Sequence, residues 1–450
     1  MYKIEDCSFD HERLIIYKST VSDQLVVEAK SIIDAKEDES AKILSHLEKS
    51  QNRKQIKGIG AVACGICITY KCNLRCTYCG YSSTDDSEHS LSMVDIEIFI
   101  DGMLKKWAIN KLITNETLPF VVCFTGGGEP TYDWDFFVNV VTHIKKQCTM
   151  NEIPLYLMLS TNGILTDVQI AFIAENFSSI MVSYDGLPEI QNRNRRSLSK
   201  DKTNRTVEYT IRELSARAAY LNIRTTIWES DYPRISEMFD HIMTLIPKDS
   251  NSDWSIQPTL FEGRATNRMK HQRNEERSNF IKYYTDLVQS VILNYGEDMA
   301  KKIQSPLLTG ELCGYFCGAH SLHNPWLLPD KTLVTCLESR DYNTCFGRID
   351  SDRICYDENY YDDLLKISKE KFIECRDCIS YRVCKGGCPI WHLRDSNNGG
   401  KPLECIAQVE YWSYILKSLT EGKYGFGWKL ERFDEVNLAK HDIFKLVKDE

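Results

Sequence analysis

Cys72, Cys76 and Cys79 stand in a C-x3-C-x2-C spacing within the stretch from Ile68 to Cys79. A cubane [4Fe-4S] cluster normally takes four thiolates, so a trio on one short loop leaves one iron with an open position for a substrate or cosubstrate. That vacancy suits catalysis better than electron storage. Three buried free cysteines are the plainer alternative. Zinc is another, but it wants a fourth Cys or His at familiar spacing, and His89, the nearest downstream candidate, does not fit one. A second concentration of thiols lies later in the chain: Cys375, Cys378, Cys384 and Cys388 in a C-x2-C-x5-C-x3-C run, then Cys405, with Cys313, Cys317 and Cys336 upstream. Eight thiolates are enough for two fully ligated clusters, and equally for two all-thiolate zinc sites.

Short polar motifs stand between these groups. Thr125-Gly126-Gly127-Gly128-Glu129-Pro130 lets the backbone pass close to a ligand, because glycine turns tightly without side-chain conflict. Ser160-Thr161-Asn162-Gly163 offers short polar side chains, and Ser183-Tyr184-Asp185-Gly186-Leu187-Pro188-Glu189-Ile190-Gln191-Asn192-Arg193-Asn194-Arg195 ends in cations. Glu262-Gly263-Arg264-Ala265 is the last of them. Arg193, Arg195 and Arg196 make a local basic patch, which reads first as a solvated loop or a ligand clamp.

The elements that must position these residues alternate regularly. Strand-length apolar runs at Ala61–Thr69, Phe120–Phe124, Leu155–Ser160, Ile180–Tyr184, Ile223–Ile227 and Trp254–Gln257 are separated by amphipathic stretches near Met93–Ile113, Trp134–Thr149, Asp167–Glu175, Arg205–Tyr220 and Ser236–Leu245. Repeated βα units of this kind predict an α/β fold around a parallel sheet. Ligands bind such sheets beyond the carboxyl ends of the strands, and each polar motif lies at such an end. A further helix is predicted near Asn279–Tyr295. Ten of the eighteen cysteines then fall between Cys313 and Cys405, in a loop-rich region with little room for an apolar core. The expected organisation is an N-terminal cap or peptide-binding segment over 1–58, a core over 59–270, a helical linker over 271–305, a small cysteine-rich domain over 306–408, and a closing helix (Val409–Leu419) and tail over 409–450. Within the first segment, Leu14–Tyr17 and Gln24–Ala29 read as strands and Ala41–Gln55 as a polar helix.

Composition narrows the class. The 450 residues are 42% hydrophobic, enough for a sizeable core, and the net charge of −9 argues against nucleic acid as a partner. The start of the chain lacks a basic and apolar export signal, and no window approaches 18 uninterrupted apolar residues, so a cytoplasmic protein without membrane partners is expected. Cysteines in a long chain of that kind point to metal rather than to disulfides. The seven outside the two groups, Cys7, Cys64, Cys67, Cys123, Cys148, Cys345 and Cys355, read mostly as packing residues. Cys64 and Cys67 fall on opposite faces of a predicted strand, which disfavours joint ligation.

The C-x3-C-x2-C loop, with Tyr78 just before its third cysteine, resembles the radical S-adenosylmethionine (SAM) superfamily, and the later cysteines resemble its SPASM domain. The S-x-D-G-x-x-E-I-x-x-x-N-R segment is similar to that of anaerobic sulfatase-maturating enzymes and related peptide maturases. The likeness spans roughly residues 60–408. It implies a partial (β/α)6 radical SAM barrel followed by a SPASM domain holding auxiliary iron-sulfur clusters. It also implies three [4Fe-4S] clusters in all, SAM as cosubstrate, and a flavodoxin- or ferredoxin-like electron donor. By resemblance Cys72, Cys76 and Cys79 hold the radical-generating cluster, while Tyr78, Gly127, Gly128, Glu129, Ser160, Asn162, Ser183 and Arg195 line the SAM site. Glu129 and the glycines would hold the amino group, Ser183 the ribose, and Arg195 the carboxylate through its guanidinium fork. Cys313, Cys317, Cys336 and Cys388 would bind one auxiliary cluster, and Cys375, Cys378, Cys384 and Cys405 the other.

Two positions depart from the pattern. Sulfatase maturases carry an aspartate base directly after the cysteine equivalent to Cys336, where this chain has Leu337, which cannot accept a proton; Glu338 and Asp341 are the nearby acids. Lys331 stands where the SPASM pattern usually has glycine. The expected function is a radical SAM maturase acting on a peptide or protein, with formylglycine formation on a sulfatase as the alternative enzyme and an iron-sulfur or zinc scaffold as the non-enzymatic one.

Overall fold

Alternating apolar and amphipathic stretches build a parallel sheet covered by helices. The computed structural model describes residues 62–356, apart from 85–88, 115–116, 248, 260–262, 268–273, 301, 306–324 and 338–344, together with three strands over 2–9, 12–18 and 25–29. Those three strands, β1 (Tyr2–Phe9), β2 (Glu12–Lys18) and β3 (Leu25–Ala29), form an antiparallel sheet in the order β1-β2-β3. The last two match the runs expected there; β1 is an addition to them. The stretches Ala41–Gln55 and Val409–Leu419, the acids Glu262, Glu338 and Asp341, and the cysteines at 313, 317, 375, 378, 384, 388 and 405 lie outside the described residues.

The barrel strands are β4 (Ala63–Ile66), β6 (Phe120–Phe124), β7 (Leu155–Thr161), β8 (Ser179–Ser183), β10 (Leu221–Ile227) and β11 (Ser252–Pro258). They lie side by side in that order, all parallel, and β12 (Ile303–Gln304) adds to β11. The crossovers carry α1 (Met93–Thr114), α2 (Trp134–Met150), α3 (Asp167–Asn176), α5 (Asn204–Arg217) and α6 (Ile235–Leu245). This is the partial (β/α)6 barrel. Local chemistry sets the helix starts: the Asp133 side chain accepts from Phe136 N, and Thr166 and Gln169 form a reciprocal capping box ahead of α3.

Alternation along each strand divides the faces. Ile180 and Val182 of β8, with Ile223 and Ile227 of β10, pack outward against buried helix residues such as Val207, Ile211, Met238 and Ile242. Their neighbours Met181, Ser183 and Arg224 face the interior, where Arg224 donates to Ser255 Oγ and Gln257 Oε1. The core therefore lies between sheet and helices, and the inner face is left polar.

The sheet does not stop at the barrel. After α7 (Asn274–Tyr295), α8 (Glu297–Ala300) and β12, the short strand β13 (Trp326–Leu327) pairs in parallel with β4, Trp326 opposite Gly65 and Leu327 opposite Ile66. Gly65 N donates to Pro325 O at 2.9 Å and Cys67 N to Leu327 O at 2.9 Å. β14 (Thr332–Val334), β15 (Cys345–Asp350) and β16 (Arg353–Tyr356) come next as antiparallel neighbours. One continuous sheet thus joins the barrel to residues that the sequence assigns to a separate cysteine-rich unit. Among the described residues no helix is long and apolar enough to cross a membrane.

Candidate functional site

β4 runs directly into the cysteine loop, and four neighbouring segments grip that loop. Its central stretch, β5 (Leu74–Cys76), pairs antiparallel with β9 (Arg195–Ser197), Cys76 opposite Arg195 and Arg75 opposite Arg196. Thr77 N donates to Asn194 O at 2.8 Å, and Leu198 N to Asn73 O at 3.1 Å. On the β6 side, Gly128 N donates to Thr69 O and Glu129 N to Lys71 O, both at 2.8 Å. A Cβ on Gly128 would sit 1.9 Å from Lys71 O, so only glycine permits this approach. From the far end of the sheet, Arg264 N donates to Cys79 O at 3.0 Å, its Nη1 to Cys76 O at 2.8 Å and its Nη2 to Ser83 O. Gly263, at φ 47°, lies so near that a Cβ would be 2.2 Å from Cys79 O. From β7, Asn162 Nδ2 reaches Asn73 Oδ1 at 2.7 Å.

The polar motifs at the ends of strands β6, β7, β8 and β11 therefore converge on one loop. Burial pushes the Cys72 thiol up to about 11, helped by the nearby Glu129 carboxylate, and pushes Cys76 up to about 12. Free thiols so placed stay protonated at neutral pH, whereas a coordinated metal deprotonates them outright. Among the described residues no three Cys, His, Asp or Glu side chains converge tightly enough to hold a single metal ion.

Beside the loop lies a buried polar triad. Asp185, fully buried, accepts from Tyr78 Oη at 2.7 and 2.5 Å and from Arg195 Nε at 2.9 Å. The Arg195 guanidinium stands 5.3 Å from the centre of the Tyr78 ring. Burial opposes its charge, but Asp185 and Tyr78 outweigh burial and raise its pKa. Asp185 engages only Nε, which leaves the terminal nitrogens of the fork for a carboxylate. α4 (Pro188–Asn194) delivers Arg195 and is bolted to the turn Glu229–Arg234 by Arg193–Asp231 and Arg234–Glu189 ion pairs.

The remaining candidates occupy distinct places. Glu129 is buried, and its carboxylate accepts from Thr131 Oγ1 at 2.8 Å, Thr161 Oγ1 at 2.8 Å and Asn162 N at 2.7 Å, tying the ends of β6 and β7 together. Burial raises its pKa against the pull of those donors. The Gly127 carbonyl accepts from Ser83 Oγ. Ser160 and Ser183 sit half-buried at the ends of β7 and β8, and Ser183 is in register with Arg224. Cys336 is half-buried just beyond β14, and Leu337 after it closes an apolar cluster with Cys67, Leu328, Val334, Tyr70 and Trp326. A Cβ on Gly126 would lie 2.4 Å from Leu337 Cδ1, so this leucine presses on the glycine loop itself. Cys64, Cys67 and Cys148 are buried, with Cys64 in the main core and Cys67 in the separate small cluster.

Three contributors receive no definite role from the sequence. Asp185 stands inside a quoted motif, and its signal is an acid directly after a strand. Arg264 stands in the last of the short polar motifs, yet it clasps the loop backbone. Trp228 carries no signal; its Nε1 donates to Thr77 Oγ1 at 3.3 Å and its ring lies 6.2 Å from that of Tyr78.

Residues 66–222 match the radical SAM superfamily profile. Curated relatives include the cysteine-type anaerobic sulfatase-maturating enzyme of Clostridium perfringens, 24% identical over 376 residues, covering 77% of this chain and 94% of that one. The Clostridium novyi enzyme of the same name is 22% identical over 339 residues, covering 70% and 84%. Among solved structures, native anSMEcpe with bound AdoMet and Cp18Cys peptide aligns with a TM-score of 0.62 at 20% identity, covering 79% of this chain and 98% of that one. Streptococcus suis SuiB bound to precursor peptide SuiA aligns with a TM-score of 0.51 at 14% identity, covering 81% and 78%.

Proposed function

We propose that this chain is a radical SAM maturase that modifies a residue of a peptide or protein, most simply a ribosomally made precursor. The observation that carries the reading is the convergence of four strand-end motifs on the Cys72–Cys79 loop, beside a guanidinium whose fork remains open. The iron-sulfur group with SAM would supply a 5′-deoxyadenosyl radical for hydrogen abstraction. The protein's own part is to hold and orient. Cys72, Cys76 and Cys79 ligate the group; Arg195, oriented by Asp185, takes the methionine carboxylate; Ser183, Ser160 and Asn162 face the remaining polar atoms; Tyr78 and Trp228 wall the loop. The Gly127 and Gly128 backbone and Glu129 shape the amino-group end.

In this reading residues 59–270 are the radical SAM core, 271–305 a linker, and 306–408 a unit for two auxiliary clusters on the eight later cysteines, flanked by the 1–58 and 409–450 segments. An external flavodoxin- or ferredoxin-like protein supplies the electron. The peptide substrate is supported by the bound peptides of the two structural neighbours, one of which is a sulfatase maturase and the other a precursor-bound protein. Leu337 separates the two kinds. Its side chain is packed against Gly126 in an apolar cluster, where no proton can be accepted, which favours a modification other than formylglycine formation.

The test is anaerobic reconstitution with iron and sulfide, then dithionite and SAM. The expected result is about twelve irons per chain and release of 5′-deoxyadenosine. Zinc in place of iron, or intact SAM, refutes the reading. A sulfatase-derived peptide should return without formylglycine by mass spectrometry, and its conversion would restore the sulfatase alternative.

A further inference from the structure

β9 grips the cysteine loop through its main chain, but the side chains of Arg196, Lys200, Lys202 and Arg205 are exposed, and the ribbon geometry gives them a face of their own. In an antiparallel pair, residues directly opposite share a face and successive residues alternate. Cys76 and Arg195 are opposite each other and turned inward; Arg75 and Arg196 are opposite each other on the other face. Two like charges so placed are destabilising. Arg75 is partly satisfied by the loop, its Nη1 donating to Cys72 O at 2.8 Å and Leu74 O at 3.0 Å, while Arg196 is exposed.

The charge continues beyond the ribbon. Between residues 193 and 205 the chain has six basic residues and one acid, Asp201, within a protein of net charge −9. Arg193 is neutralised by Asp231 and Arg195 by Asp185, but Arg196, Lys200, Lys202 and Arg205 are exposed, and Leu198 among them is 42% exposed. Lys200 holds a left-handed turn at φ 66° that ends the ribbon. A patch of cations around one apolar side chain, on an otherwise acidic molecule, attracts an acidic macromolecule by long-range steering. It lies one ribbon's thickness from Cys76.

Building on the proposed function, we infer that the outer face of the β5–β9 ribbon is the docking surface for an acidic one-electron carrier protein of the flavodoxin or ferredoxin class. The carrier is oxidised by one electron and the group held by Cys72, Cys76 and Cys79 is reduced by one, with no atom transferred. Electron-transfer encounters are small and weak, and a short basic ribbon suits that scale.

The test is the full-length reconstituted protein carrying Lys200→Glu, Lys202→Glu and Arg205→Glu together, with reduced flavodoxin or dithionite as reductant. The flavodoxin-driven rate of SAM cleavage should fall by about tenfold or more and lose its decline with added salt, while the dithionite-driven rate is unchanged. Calorimetric binding of oxidised flavodoxin should weaken in parallel. Lys105→Glu with Lys146→Glu, exposed on α1 and α2, should leave both rates and the binding as in the parent. The inference is overturned if flavodoxin serves the triple variant as well as the parent, or if both reductants fail alike. It is equally overturned if the dithionite reaction shows a raised KM for peptide, which would assign the patch to substrate. Should the parent itself cleave no SAM with dithionite, the proposed function fails, and the binding measurement still reads the docking surface.

Discussion

On its β6 flank the cysteine loop is held by main-chain hydrogen bonds and by a glycine with no room for a side chain, whereas on its β8 flank the main-chain pairing with β9 is joined by a buried carboxylate, a guanidinium and a phenol. The first attachment carries no net charge and fixes position regardless of what is bound. The second adds an electrostatic part to its ladder. A buried ion pair is weak evidence for stability, because desolvation offsets much of the attraction, yet it can respond to an incoming carboxylate where a main-chain ladder cannot. The loop is therefore located from one side and made responsive from the other.

The largest effect should come from the steric flank. Gly128→Ala places a methyl against a carbonyl that cannot move without the loop, at a cost of about 3 kcal/mol, and iron per chain should drop by the share of one cluster. A variant that keeps full iron would show that the β6 flank is not what locates the cysteines. Asp185→Asn comes next. Removing one member of a buried pair costs on the order of 3–5 kcal/mol, and asparagine recovers part of this by accepting one of the two donors. Iron content should survive, while the SAM-induced change in the spectrum of the reduced protein should need roughly tenfold more SAM. An unaltered SAM titration would erase the contrast between the flanks.

The smallest effect tests the same contrast where β14 meets the barrel. Lys331, at φ 69°, extends its ammonium to Asp95 at 2.9 Å. Burial raises the Asp95 carboxyl, but hydrogen bonds from Ser92 and the charge of Lys331 more than offset it and leave the pKa below its ordinary value. The folded state thus holds fewer protons, so this stabilisation is complete above the ordinary carboxylate range and fades as pH falls through the lowered value. Lys331 is half exposed, so Lys331→Ala should cost under about 1 kcal/mol, with the difference from the parent vanishing in acid. Lys331→Gly should exceed Lys331→Ala in stability by about 1 kcal/mol, since glycine accepts the left-handed backbone freely. Chemical denaturation across pH measures both, and a pH-independent gap would remove the ion pair from the account.

The barrel was legible in the sequence because its signal is local. Phe120–Phe124 is matched residue for residue, and the other five strands differ only at their ends, since each is an apolar run bounded by turn residues. The gripping motifs were legible as glycines and short polar residues after strands. Their partners were not. Tyr78 and Asp185 lie 107 residues apart, and Arg264 lies 188 residues from Cys76, distances over which periodicity carries no information. β13 and β14, at two and three residues, are too short to show alternation, so the continuation of the sheet was invisible until β4 supplied the register. Lys331 reads as a missing glycine in the sequence; its ion pair with Asp95 supplies a reason for the change.

The pairing of β13 with β4 also bears on the order in which the molecule is made. β4 emerges early from the ribosome, yet the partner for one of its borders is translated some 260 residues later, as the pairing of Gly65 with Trp326 requires. Until then a strand leading straight into reactive thiols presents open amide and carbonyl groups, the kind of border on which nascent chains stick to one another. Synthesis halted before that closing strand would leave the cysteine loop hanging from an unfinished seam. Heterologous production is therefore best attempted slowly, with chaperones abundant, and with the barrel never severed from its closing strand.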